Sequence, residues 1–88
     1  MTVAERRGAT WAQAERIVSL SEAHEVLPRL MPDKKDLAGL RQFHEKSAAV
    51  YRRVADLDRG HHHEALYWAD REDRLARELD GHREGTSS

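Results

Sequence analysis

Six histidines and sixteen carboxylates in 88 residues are the groups with which this chain could do chemistry. They form two constellations. In the first, Asp58, His61, His62 and Glu64 bring imidazole and carboxylate ligands within one helical turn or one tight corner. That donor set suits zinc, nickel, copper or non-haem iron. Adjacent helical residues point about 100° apart, so His61, His62 and His63 cannot all reach one ion from a regular helix. Two of them with Asp58 can, given a further ligand from a second chain. A di-iron bundle site is excluded by spacing, because it needs Glu-x-x-His and the chain has none. The His-Glu dipeptides at 24–25, 44–45 and 63–64 turn their side chains to different faces.

The second constellation depends on the chain folding back near Gly60. His44, Ser47 and Tyr51 then lie opposite Glu72, which stands at the centre of an apolar stripe. A carboxylate beside a histidine and a hydroxyl can be written as acid–base machinery. The simpler account, and the one adopted, is a buried polar network that fixes the register of two helices. A domain this small offers no obvious cleft, and the sequence has no glycine-rich phosphate loop. The expectation is therefore a protein that is not an enzyme, with no catalytic residue and no cofactor.

Three helices must position these groups. The first is expected over 10–27, where Thr10-Trp11-Ala12-Gln13 forms a capping box and Trp11, Ala14, Ile17, Val18 and Ser21 share a face. Pro28 ends it. The second is expected over 33–59, with Asp33 as N-cap, a stripe of Leu37, Leu40, His44, Ser47, Tyr51, Val54 and Asp58, and Gly60 as the stop. The third, over 61–80, has the stripe Ala65, Trp68, Ala69, Glu72, Leu75, Ala76 and Leu79. Its outer face pairs Asp70 with Arg74 and Asp73 with Arg77 at i,i+4. Residues 1–9 and 81–88 read as flexible ends around one helical domain, 10–80. The apolar spacing also continues in register through Gly60, so one long helix over 33–80 is the alternative to a hairpin. Charge favours the hairpin: residues 33–60 carry seven basic and five acidic groups, and 61–88 carry four and seven.

Gly60-His61-His62-His63-Glu64-Ala65-Leu66, followed by Ala69, resembles the turn and second-helix start of a tetratricopeptide-type repeat across residues 46–80. In that family the glycine turns the chain and the alanine lets two helices approach closely. The first helix lacks the family's tryptophan–leucine–glycine–tyrosine pattern, and there is no second copy. The resemblance implies a helix hairpin and a protein-binding role, with no ligand residues.

Composition bounds the function. Lys+Arg number 15 and Asp+Glu 16, a net charge of −1, which argues against a general nucleic-acid binder. Lys46, Arg52, Arg53 and Arg59 give the second helix a basic flank, but a reading third helix would carry Asp70, Asp73 and Glu78 toward phosphates. No apolar run approaches the ~20 residues of a membrane span, and there is no signal-peptide core. The absence of cysteine fits a reducing, cytoplasmic setting. Twelve arginines against three lysines hint at a GC-rich bacterial genome. Leu, Ile, Val and Phe total 16, so core material is thin and self-association is expected to complete the fold. The leading expectation is a non-enzymatic, homo-oligomeric interaction module, an adaptor or regulator. Its interface candidates are Leu66, Tyr67, Trp68 and Trp11. The alternatives are a histidine-dependent metal binder at the Asp58 corner and a component of a DNA-associated regulator.

Overall fold

Capping residues divide this chain into more helices than its apolar stripes do. The structure, a computed structural model, describes residues 10–87, with side chains for residues 10–80. It is all-α, with no strand among the described residues, and four helices: α1 (Trp11–Ala14), α2 (Leu20–Val26), α3 (Leu37–Leu57) and α4 (His62–Ser87). No helix in the described residues is long and apolar enough to cross a membrane.

The expected continuous helix over 10–27 is broken. Thr10 caps α1 as its sequence predicts, its hydroxyl accepting from the Gln13 amide at 3.1 Å. A second capping box, Ser19-x-x-Glu22, then restarts the helix. The Ser19 hydroxyl accepts from the Glu22 amide at 3.2 Å, and Glu22 Oε1 accepts from the Val18 amide at 3.1 Å. The break lets Ala14, Ile17 and Leu20 all enter the core. Its exposed backbone groups are satisfied from α3. Arg53 donates to the carbonyls of Ala14 (2.7 Å) and Ile17 (3.1 Å), and Asp58 Oδ2 accepts from the Leu20 amide at 3.0 Å. Pro28 ends α2 as expected, and the chain leaves through one 3₁₀ turn, Leu27–Leu30.

The N-cap of α3 is Asp36, not Asp33. Asp36 Oδ1 accepts from the Gly39 amide at 2.9 Å, whereas Asp33 folds into a turn upstream, accepting from the Lys35 amide at 2.8 Å. Gly39 decides between the two aspartates, because a Cβ there would collide with the Asp36 carboxylate. At the other end α3 stops at Leu57. Asp58, with φ −100° and ψ 79°, turns the chain into a 3₁₀ corner, Arg59–His61. The long-helix alternative is thereby overturned. Gly60 is not the left-handed stop the sequence implies; it lies inside that corner, without positive φ and with nothing near its missing Cβ.

The helices α3 and α4 form the antiparallel hairpin. Basic α3 faces acidic α4 through Arg52–Asp73 and Arg41–Asp80, so Asp73 is drawn across the hairpin rather than along its own helix to Arg77. Buried Ala48, Ala55, Ala65, Ala69 and Ala76 allow the close approach. The core lies where α2 crosses the corner half of the hairpin: Leu20, Ala23, Val26 and Leu27 pack on Val50, Tyr51, Val54, Ala55, Ala65 and Ala69. The backbone of α4 runs through Gly81 to Ser87, past the expected end at 80. Residues 1–9, expected to be flexible, lie outside the described residues, as does Ser88.

The two glycines should respond oppositely to alanine. Gly60→Ala meets open space and an ordinary backbone, so it should stabilise the fold by about 0.5 kcal/mol through the unfolded chain. Gly39→Ala displaces the Asp36 cap and should cost about 1 kcal/mol. Urea unfolding of both variants checks the pair; destabilisation by Gly60→Ala would place a special backbone need at the corner.

Candidate functional site

Of the network expected from His44, Ser47, Tyr51 and Glu72, the structure joins His44 and Glu72 by a hydrogen bond and leaves Ser47 and Tyr51 out of it. Glu72 is buried at 7% exposure on the inner face of α4. Its Oε1 accepts from His44 Nδ1 at 2.6 Å, and its Oε2 accepts from Arg71 at 3.0 Å. A carboxylate accepts only, so His44 carries its proton on Nδ1 toward Glu72 when singly protonated. Tyr51 does not reach Glu72 by hydrogen bond. Its hydroxyl shares one with His24 Nδ1 on α2 at 3.2 Å, and its ring lies nearly parallel to Trp68 across the hairpin, 28° apart with centroids at 6.2 Å. Ser47 is 1% exposed, and its Oγ has no hydrogen-bond partner among the described residues.

These groups line a half-open cavity of about 240 Å³, where the 27–31 turn leaves the hairpin. Leu27, Pro28, Met31, Phe43 and Leu75 supply its apolar wall. The expectation that so small a domain has no cleft is corrected here. Ser47 and Glu72 both line the cavity, at positions where a packed core would place large apolar groups. Burial pushes the Tyr51 phenol up to about 12, with the Glu72 carboxylate adding to the rise and Arg71 opposing it. The phenol therefore stays protonated at neutral pH.

Ser47 Oγ makes no hydrogen bond to His44, one turn away on the same helix. Sequence reasoning missed two members of the site. His24 arrives because α2 crosses the hairpin, which no local pattern announces. Arg71 was legible: it follows Trp68 by three residues and stacks over its ring at 5.4 Å.

At the histidine corner the candidate ligands make separate hydrogen bonds. His61 Nδ1 meets Asp58 Oδ2 at 2.9 Å, but His62 Nδ1 donates to the Ala55 carbonyl at 2.7 Å, and Glu64 is exposed. No three His, Asp or Glu side chains converge as metal ligands among the described residues. The bond from the Leu20 amide, with help from His61, holds the Asp58 carboxyl below its ordinary value, against a smaller desolvation effect.

Of the interface candidates, Leu66 and Tyr67 are exposed, at 38% and 58%. Trp68 and Trp11 are half-buried against the core. Trp11 also packs near Phe43, with Lys46 over its ring. Comparison with protein-family models, curated proteins and solved structures gives no match.

Two titrations follow. The folded pKa of Asp58 is lowered from 3.8, so its contribution is complete above that value and is lost as pH falls through the lower folded one. Acid should release α2 from the corner below about pH 4, and Asp58→Asn should remove that limb of the acid transition while lowering stability at neutral pH. For Tyr51 the folded pKa is raised, so its contribution is complete below 10.0 and is lost as pH rises through about 12. Phenolate absorbance in a Tyr67→Phe variant, where Tyr51 is the remaining tyrosine, should show a midpoint of about 12. A midpoint at the ordinary value would mean the phenol is solvated.

Proposed function

We propose that this protein is a non-enzymatic helical interaction module, an adaptor or regulator that works as a homo-oligomer in the cytoplasm. One observation carries the reading: the distribution of apolar bulk between core and surface. Among the described residues, seven of the fifteen buried apolar ones are alanine, each giving up little more than a methyl group to the core. Meanwhile Val18, Leu37, Leu57, Leu66 and Tyr67 remain 38–58% exposed. A small domain with this allocation is completed most economically by covering its exposed residues with a second copy.

The N-terminal half of α4 is the favoured face. From Ala65 to Ala69 it carries no charge, and Leu66 and Tyr67 project outward from it. Tyrosine provides a large contact area at low entropic cost and tolerates a polar rim, which suits an interface core. The surrounding carboxylates and arginines would set the register between copies rather than drive association.

Sedimentation equilibrium should find a dimer or larger species at micromolar concentration. A tenfold rise in concentration adds about 1.4 kcal/mol to the apparent stability of a dimer and should raise the Tm by several degrees. Leu66→Lys with Tyr67→Lys should yield a helical monomer with concentration-independent melting. A wild-type chain that is monomeric at high concentration and melts independently of it would refute the proposal.

A further inference from the structure

The outer face of α4 carries ions that the fold itself does not use. Arg52 and Asp73, Arg41 and Asp80, and Arg71 and Glu72 are paired within the chain. Asp70, Arg74 and Arg77 are exposed, and none of their side chains has a hydrogen bond or ion pair among the described residues. Asp70 and Arg74 stand at the spacing where a pair along one helix forms readily, yet that expected pair is not made. At about 100° per residue, Leu66, Arg77, Asp70, Arg74 and Tyr67 follow one another around about 100° of the helix, so the unused ions and the exposed apolar residues share one face.

The inference rests on the reading of this face as the self-association surface and deepens it. We propose that two copies meet along α4 in antiparallel orientation, about a two-fold axis near residue 72, with Asp70 of each copy paired to Arg74 of the other.

A two-fold contact presents the same patch twice, so the patch must complement itself. In a parallel pair each residue faces its own copy, and Asp70 meets Asp70 while Arg74 meets Arg74. Reversing one helix brings Asp70 opposite Arg74, sets the Arg74 guanidinium within reach of the Tyr67 ring, and lays the Arg77 stem along Leu66. The chain already builds this combination once. Arg71 lies over the Trp68 ring at 5.4 Å while it donates to Glu72 at 3.0 Å. Arg74, over Tyr67 and beside Asp70, repeats it between copies.

Charge also fixes the position of the axis. Centring it on Leu66 and Tyr67 sets Asp70 against Glu64 or Arg74 against Arg59, and both contacts are repulsive. Leu66 and Tyr67 are covered in either register, against each other or against arginine stems, so apolar contact alone leaves the choice to the ions.

Charge reversal tests the pairing by sedimentation equilibrium of the full chain. Asp70→Arg and Arg74→Asp each turn two attractions into two repulsions across the two-fold, and each should weaken self-association at least about tenfold. An equimolar mixture of the two variants should recover it to within about threefold of wild type, because one copy then presents two arginines to two aspartates. The mixture separates this pairing from an effect within the helix, since each variant chain keeps its like charges four residues apart. The double variant Asp70→Arg, Arg74→Asp exchanges the two charges in one chain and should associate like wild type, which keeps the test decisive should a single variant unfold. Association that Leu66→Lys with Tyr67→Lys abolishes, but that neither reversal weakens, would overturn the antiparallel pairing and leave the self-association reading standing. Weakened variants that do not recover on mixing would have the same consequence. A monomeric wild type would overturn both.

Discussion

One carboxylate, Asp58, joins the two halves of this molecule. It ends α3, its side chain accepts the first free amide of α2 at Leu20, and the same oxygen meets His61 at the corner that launches α4. Arg53, just over one turn earlier on α3, donates to the Ile17 carbonyl and to the Ala14 carbonyl, which also accepts from the Ile17 amide, where α1 stops. Between them these two residues satisfy both sides of the break at 15–19 with charge-assisted bonds, roughly twice as strong as neutral ones. A break in a helix normally exposes donors and acceptors to water. Here it becomes the joint by which the N-terminal segment is fixed across the hairpin.

That joint determines where the cavity forms. With α2 tied to the corner end, its apolar face covers Val50, Tyr51, Val54 and Ala55, and the chain must leave through the Leu27–Leu30 turn before reaching the far half of the hairpin. Beyond that turn α2 no longer covers the hairpin, and there α3 and α4 place His44, Ser47 and Glu72 inside. A buried carboxylate costs several kcal/mol unless paired, so Glu72 needs both His44 and Arg71. Hydrophobic replacements would pack the same space more tightly. The polar set instead fixes which residues of the two helices face each other, and it leaves Ser47 without a partner.

Much of this was legible from residue types. The helical class, the hairpin, the basic-against-acidic pairing and the inward placement of Glu72 follow from apolar spacing and charge, which act over long stretches and tolerate local error. What misled was local competition. Ser19 and Glu22 restart a helix inside an apolar stripe that looked continuous, because a cap satisfies amides whether or not the periodicity persists. Asp33 and Asp36 are equally good caps by type, and only the room left by Gly39 separates them. Asp58 and the histidines are hard to read from sequence because ligation and capping use the same atoms. Which role they take depends on whether a free amide lies within reach, and the Leu20 amide is 38 residues away in the chain.

The alanine-rich hairpin interface and the exposed apolar residues are two sides of one constraint. Alanines let α3 and α4 approach closely enough for Arg52 to meet Asp73 and for Tyr51 to lie against Trp68. That closeness removes the volume in which larger side chains would otherwise be buried. Apolar bulk then has two places left, the outer surface and the rim of the cavity, and it is found in both: Leu57, Leu66 and Tyr67 outside, Met31 and Trp68 beside the opening. A hairpin built this tightly cannot also build a large core. The exposed apolar surface and the cavity therefore arise from the same choice of small residues along its seam.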